Sequence, residues 1–444
     1  MKAIYSMKVM KFGGTSVGKP QRMKEVAKLI TADEERKIVV LSALSGTTNA
    51  LAEISSSLAQ NNRQDAGEKI KILHSYYKDF VKELLHDEAA LLKAHAVLTE
   101  HFEFLNIILK ISFSEALNKD ILAQGELLST KLFCLYLEEA GIAHVFLSAF
   151  DFMTLDKTDE PQIGTIKVKL AQLLQKHADT NLFITQGYIT RNARGEVDNL
   201  KRGGSDYSAS LISAALQASV CEIWTDISGM HNNDPRIVEN TKPIEQLSFD
   251  EAAELAYFGA KILHPASIWP AQMYNIPVRL LNTMDPSAKG TLISEVAGST
   301  GVKSVAAKDN IIAIKIKSSR MLLAYGFLRK VFEVFEKYKT AIDMITTSEV
   351  AVSVTIDNDE FLHQIKKELE VFGSVEIDKD QTIVSIVGNE ISETKEVLKT
   401  LFDSIAGIPV RMVSYGGSRH NISLLVPQEY RNSTLQLLSK GFFE

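Results

Sequence analysis

The chain has 444 residues, 45% hydrophobic and 23% charged, the balance of a folded globular protein of about three domains. Its 49 Lys and Arg against 55 Asp and Glu give a net charge of −6 spread along the chain, which argues against a general nucleic-acid or membrane-surface binder. No run approaches ~18 apolar residues, no signal-peptide core opens the chain, and Cys134 and Cys221 stand far apart in apolar contexts. A membrane span, a disulfide framework and a zinc site are therefore not expected, and the compartment is read as cytoplasmic.

Residues 7–12 (MKVMKF) and 37–44 (KIVVLSAL) read as buried strands around an amphipathic helix over 20–32, with Pro20 suited to its first turn. This βαβ start implies a parallel sheet. Residues 48–140 read as mostly helical. Strand-like runs return at 143–149, 181–189, 221–228 and 276–282, with helices at 206–217 and 248–273. Residues 1–295 are thus expected to form one large α/β domain with a mainly parallel central sheet. From 300 the pattern changes. Strand, helix, strand, strand, helix over 309–373 is followed by the same order from 381 to the end. Two βαββα modules are expected, at 300–380 and 381–444, with a strand near 302–307 assignable to the second. Each is small for an independent core, so pairing of modules, within or between chains, is expected.

Six stretches carry chemistry. Residues 13–19 fit the phosphate-loop spacing G-x-x-x-x-G-K, but Pro20 stands where that motif needs a hydroxyl for Mg²⁺. The pair Gly13-Gly14 instead lets backbone amides approach an anion, and Lys11 at the strand end points to the crevice where α/β proteins bind ligands. A surface lysine beside a tight turn is the alternative. In LSALSGTTN (41–49) small hydroxylated residues follow the second strand; Thr47, Thr48 or Asn49 could start a helix by capping, and hydroxyls at a strand end could equally bind a polar substrate. In AQGELLST (123–130), Glu126 is expected near the start of an apolar helix, as a dipole-favoured carboxylate or as the holder of a substrate ammonium. LKRGGSDYSASL (200–211) offers Arg202, whose planar fork suits a carboxylate or phosphate, and Ser205 or Asp206 as a helix N-cap. IWTDISGMHNNDPRIV (223–238) ends a strand in Thr225-Asp226 and carries Arg236; FGAKILHPA (258–266) carries Lys261 before a helix begun at His264-Pro265. Each stretch alone is weak. Together they put cations, glycines and hydroxyls at consecutive strand-to-helix junctions, which share one edge of a parallel sheet and suit a polyphosphate with an anionic co-substrate.

In this order and spacing KFGGTSVG, LSALSGTTN, GELLST, RGGSDYSA, TDISGMHNNDPR and FGAKILHPA resemble the aspartate kinases of the amino acid kinase fold, and the C-terminal duplication resembles paired ACT domains. The resemblance covers essentially the whole chain. It implies an amino-acid-kinase-type α/β sandwich followed by two ACT-like modules. It implies phosphoryl transfer from ATP with Mg²⁺ to the β-carboxylate of L-aspartate, the first step toward lysine, threonine and methionine. Lys11 would bridge the transferred phosphate and the acceptor carboxylate, with Asp206 in the same pocket and the backbone of Gly13 and Gly14 on the phosphate. Ser42, Thr48 and Ser205 would lie beside the substrate, Glu126 would hold its ammonium and Arg202 its α-carboxylate. Thr225, Asp226, His231, Arg236 and Lys261 would form the nucleotide set, with His231 where a Tyr is usual. RMLLAYGFLRKVF (320–332) and AIDMITTSEVAVS (341–353) resemble the form whose effector is lysine. They imply effector contacts at Met321, Gly326, Phe327, Leu328, Asp343, Thr347 and Ser348; the alternative is that this segment is only core and edge of its module. A homodimer or homotetramer through the ACT-like modules is implied, as is a monofunctional chain, since residue 444 leaves no room for a dehydrogenase domain. Two rivals stand beside this reading: the same fold acting on glutamate or another small carboxylate, and an amino-acid sensor whose kinase domain has decayed.

Overall fold

The computed structural model describes residues 7–200, 203–259, 263–296, 298–318 and 325–444; Arg202, Lys261 and Met321 lie outside them. Two compact units are present, one of residues up to Met230 with Leu263–Glu295, the other of His231–Ile262 with Val296–Glu444. Among the described residues no helix is long and apolar enough to cross a membrane.

The first unit begins with β1 (Lys8–Phe12), a single turn α1 (Gly14–Val17), and α2 (Pro20–Ile30), with Lys19 as N-cap and Pro20 at the first helical position. The fixed φ of proline suits that position and its missing N–H leaves nothing unpaired. After β2 (Lys37–Leu41) come four helices: α3 (Thr47–Ala59), α4 (Arg63–Leu84), α5 (Glu88–Ile108) and α6 (Glu115–Glu139). Asn62, Asp87 and Ser114 start the last three, each side chain accepting from the amide three residues on. Their apolar faces, with Leu51, Tyr77, Phe102 and Phe133, bury in one core with Met10, Phe12, Val39 and Leu41 of the sheet. The chain continues through β3 (Val145–Leu147), α7 (Ala149–Phe152), α8 (Ile163–Lys176) and β4 (Leu182–Gln186). A hairpin not foreseen in the sequence, β5 (Ile189–Arg191) with β6 (Val197–Asn199), leads to α9 (Gly204–Leu216) and β7 (Val220–Thr225).

The helical stretch expected over 248–273 is two helices, the second begun at His264-Pro265 as expected. Short β8 (Gln246–Ser248) and α10 (Phe249–Tyr257), the latter fixed by a Ser248/Glu251 capping box, belong to the second unit. The break falls at Gly259, whose φ of +141° only glycine adopts readily and whose Cβ would lie 2.2 Å from Ala307 O. α11 (Pro265–Met273), β9 (Val278–Asn282) and β10 (Thr291–Ser294) return to the first unit. Its strands run in the order β3-β4-β2-β1-β7-β9-β10, all parallel except β10. Gln186 lies beside Leu41, Leu41 beside Phe12 and Phe12 beside Trp224, so the carboxyl ends of β4, β2, β1 and β7 are level.

The second unit carries the two expected modules on one shared sheet. β11 (Gly301–Lys317) and β14 (Ser374–Asn389) are single long strands paired antiparallel from end to end. Between them the chain forms α12 (Phe327–Lys337), β12 (Ile345–Thr347), β13 (Ala351–Ile356) and α13 (Leu362–Leu369). After them it forms α14 (Lys395–Ser404), β15 (Met412–Ser414), β16 (Asn421–Pro427) and α15 (Arg431–Phe443). The sheet order is β12-β13-β11-β14-β16-β15. β13 uses only Ile312–Lys317 of β11, and β16 only Gln381–Val387 of β14; the second module's sheet therefore gains the opening half of β11, Gly301–Lys308, which includes the strand expected near 302–307. That covers an edge of β14 the second module alone would expose. Midway, Asn310 (φ 60°) and Asp380 (φ 54°) take the left-handed conformation and the register shifts, marking the boundary between the halves.

Candidate active site

The level strand ends of the first unit are where the sequence placed its chemistry. Lys11, the penultimate residue of β1, is buried, and its Nζ forms an ion pair of 2.6 Å with Asp206 Oδ1 on α9. Gly13 lies beneath that ammonium: a Cβ there would sit 3.3 Å from Lys11 Nζ. The Gly13 amide donates to Trp224 O of β7 (3.2 Å), and one turn of helix separates the glycine pair from α2, so α2 does not follow the glycines directly. Gly14 approaches the loop after β2, where its Cβ would lie 3.0 Å from Ala43 O.

Ser205 and Asp206 were expected as N-caps. The N-cap is Gly203, left-handed at φ 67°, and both residues fall in the first turn of α9. Gly203 is required because a Cβ would lie 2.4 Å from Ser267 Cβ. Gly187, just after β4, touches α9 closely: a Cβ there would be 2.3 Å from Ser205 Cβ. Two glycines thus clamp the start of α9, which fixes Asp206 against Lys11.

Glu126 is not near a helix start; it lies in the middle of α6. Gly125 explains how. Its Cβ would be 2.7 Å from Ala43 Cβ, so only glycine lets α6 approach the loop after β2. Glu126 Oε1 then accepts from Ala43 N (3.2 Å), while Oε2 is buried with no hydrogen-bond partner among the described residues. Burial pushes this carboxyl up to about 8, against the pull of the Ala43 amide and the Lys11 charge. Ser42, in the same loop, accepts at its carbonyl from Ser129 Oγ (2.8 Å). Thr48 is the exposed second residue of α3, beside buried Thr47, whose hydroxyl lies 3.0 Å from Tyr77 OH.

Sequence reasoning missed Tyr188. It has φ 63°, rare for an aromatic residue, within a tight turn closed by Ile189 N donating to Gly187 O (2.7 Å). Burial raises its phenol to about 12, and the Glu126 charge adds to the shift. The one signal was the Gly-aromatic pair directly after a buried strand.

Of the expected nucleotide residues, Thr225 ends β7 and its Oγ1 donates to Asp226 Oδ1 (3.2 Å) in the first unit. His231 and Arg236 belong to the second unit. His231 Nδ1 lies 3.0 Å from Thr241 Oγ1, and burial lowers its imidazole. Among the described residues no group of three or more His, Cys, Asp or Glu is placed to hold a metal ion.

The expected effector residues also lie in the second unit. Gly326 is the left-handed N-cap of α12, Phe327 is buried, and Leu328, Thr347 and Ser348 are exposed. Asp343 is already engaged: Lys308 Nζ and Tyr257 OH each lie 2.7 Å from its Oδ1, while its buried Oδ2 has no hydrogen-bond partner among the described residues.

A buried Lys–Asp pair between glycine turns lies at the carboxyl edge of a parallel sheet, where α/β proteins bind ligands. Residues 6–282 match the model of the amino acid kinase family, and residues 384–442 that of the ACT domain. Lysine-sensitive aspartokinase 3 of Escherichia coli is 34% identical over 451 residues, spanning 98% of this chain and 99% of that protein. Solved structures of E. coli aspartokinase III are similar over 99% of this chain and 100% of theirs. The complex with aspartate and ADP (R-state) gives a TM-score of 0.85 at 32% identity, and the complex with lysine and aspartate (T-state) 0.83 at 33%. The chain belongs to the amino acid kinase family and, within it, to the aspartokinases. It is an ATP-dependent phosphotransferase with a carboxyl group as acceptor.

Proposed function

We propose that this enzyme phosphorylates the β-carboxylate of L-aspartate to aspartyl-β-phosphate, the first step toward lysine, threonine and methionine, under feedback control by an end-product amino acid, lysine being favoured. The observation that carries the reading is Lys11 Nζ held 2.6 Å from Asp206 above Gly13. The acceptor carboxylate is ionised at pH 7, so attack needs no general base. The barrier is bringing two anions together in line, and positioned positive charge lowers it. Lys11 bridges the transferred phosphoryl and the acceptor, and Asp206 holds Lys11 in place. The backbone at Gly13 and Gly14 allows close approach of phosphate. Glu126 receives the substrate ammonium through its unpartnered oxygen, and Arg202 the α-carboxylate, with Ser42, Thr48 and Ser205 beside them. Thr225, Asp226, His231, Arg236 and Lys261 hold the nucleotide, on which Mg²⁺ arrives; no step here is assigned to the metal.

Residues 1–295 are proposed as catalytic, with ACT-like modules at 300–380 and 381–444 joining chains into a dimer or tetramer in the cytoplasm. Lysine is favoured because the E. coli relative is named lysine-sensitive and was solved with lysine. Met321, Gly326, Phe327, Leu328, Asp343, Thr347 and Ser348 are its proposed contacts. The test traps the acyl phosphate as a hydroxamate from ATP and aspartate, with lysine, threonine and methionine each added. Lys11→Ala should abolish the product while leaving the fold intact by circular dichroism, with the melt lowered by the loss of the buried pair. Normal turnover in that variant would end the assignment of the site.

A further inference from the structure

The loop carrying His231 and Arg236 is built on the C-terminal helix and the opening of β11. Asn232 O accepts from Val305 N (2.9 Å) and His231 O from Ser304 Oγ (2.9 Å). The buried Asn233 side chain donates to Leu435 O of α15 (3.0 Å), and Gln436 Nε2 donates to Ile237 O (3.3 Å). Val238 is buried in one core with Leu435 and Leu438.

Within this loop Asp234 grips Arg236 through a two-point fork. Arg236 Nε is 2.9 Å from Oδ1 and Nη2 is 2.8 Å from Oδ2, and the Arg236 amide also donates to Oδ1 (3.0 Å). The Arg236 side chain is 83% exposed, whereas that of Asp234 is 18% exposed. A second cation reaches the same carboxylate from α15: Arg431 Nη2 lies 3.6 Å from Asp234 Oδ2. Arg431 is also ion-paired to Asp309, Nε lying 2.9 Å from its Oδ1, an oxygen that accepts a hydrogen bond from Thr382 Oγ1 (2.9 Å). Hydrogen bonds from Arg236 hold the Asp234 carboxyl below its ordinary range, and the Arg431 charge adds to this.

We propose that Arg431 is a positioning residue for nucleotide binding: by neutralising Asp234 from the C-terminal helix, it frees Arg236 to leave that carboxylate for the polyphosphate of ATP. This rests on the reading of Arg236 as a nucleotide residue. A guanidinium fork cannot give the same donors to a carboxylate and a phosphate at once. When Arg236 turns to phosphate, Asp234 would remain as a part-buried anion facing a polyanion, an unfavourable state unless another cation stays. Arg431 is that cation. The C-terminal helix thereby supports Arg236 in this role.

The experiment uses the full-length protein and the variants Arg236→Gln, Arg431→Gln, Arg431→Lys, and Arg431→Gln combined with Asp234→Asn. KM for ATP, KM for aspartate, kcat, calorimetric ATP binding and thermal midpoint are measured for each. Arg236→Gln should raise KM for ATP roughly ten- to a hundredfold, the range for one hydrogen bond to a charged group, and Arg431→Gln, which acts through it, by at least about threefold. For Arg431→Gln the aspartate KM and the midpoint should stay unchanged, Arg431→Lys should recover most of the affinity, and Asp234→Asn should make the loss of Arg431 nearly silent. An Arg236→Gln enzyme with unaltered ATP affinity would overturn the reading of Arg236. Loss of affinity in Arg236→Gln but not in Arg431→Gln would overturn the role of Arg431 alone. So would an Arg431→Gln defect that shifts both KM values with the melt, or that persists when Asp234 is neutral.

Discussion

Replacing Glu126 with glutamine asks whether aspartate binding is tied to release of a proton. Glu126 is buried in α6 with one oxygen unpartnered among the described residues, and burial pushes it up to about 8. At pH 7 such a carboxyl is about 90% protonated in the free enzyme. An ammonium placed beside it favours the ionised form, so binding should expel close to one proton, about 0.9 at pH 7. Aspartate affinity should rise about tenfold per pH unit up to pH 8 and then level off. Calorimetric titration of aspartate in buffers of differing ionisation enthalpy reads the proton directly, and Glu126→Gln should remove it. Stability provides an independent check. Below pH 4.5 Glu126 is protonated in both folded and unfolded chains; between 4.5 and 8 only the unfolded chain ionises, so the folded state loses stability as pH rises through that window. The loss approaches about 3 kcal/mol at pH 7. Glu126→Gln should recover part of this at pH 7 and nothing at pH 4. Buffer-independent heats in the unmodified enzyme, or equal proton release in the variant, would refute the reasoning.

Two further changes probe how the site is held together. Gly187→Ala places a methyl 2.3 Å from Ser205 Cβ, so it should push the start of α9 and Asp206 away from Lys11. Roughly 1–3 kcal/mol of stability should go with it, and kcat should fall, with Ser205→Gly in the same chain restoring only part of the melt because the Cα of residue 205 would still lie 2.8 Å from the methyl. Asp343→Asn weakens the only carboxylate among the expected effector residues; inhibition by lysine, followed in the hydroxamate assay, should weaken at least about tenfold. Unchanged inhibition would move the effector elsewhere.

Much of the site was legible because a parallel sheet sends every strand-to-helix junction to one edge. Lys11, Gly13 and Thr225 could be placed at that edge from strand pattern, and their strand ends are level in the structure. Glu126 was found by residue type but misplaced along its helix. Its position depends on Gly125 meeting Ala43, 82 positions earlier in the chain, which no local pattern encodes. Tyr188 was missed because its unusual φ is imposed by surrounding hydrogen bonds and not by its own preference.

The order of residues determined the alternation of strands and helices, the glycine turns, and the duplication toward the C-terminus, since these follow from side-chain periodicity and backbone freedom over short distances. The fold alone decided that Lys11 meets Asp206, that two modules share two continuous strands, and that residues 231–259 fold with the C-terminal half. Those outcomes depend on which surfaces bury one another across hundreds of positions, and such burial is a property of the packed chain as a whole.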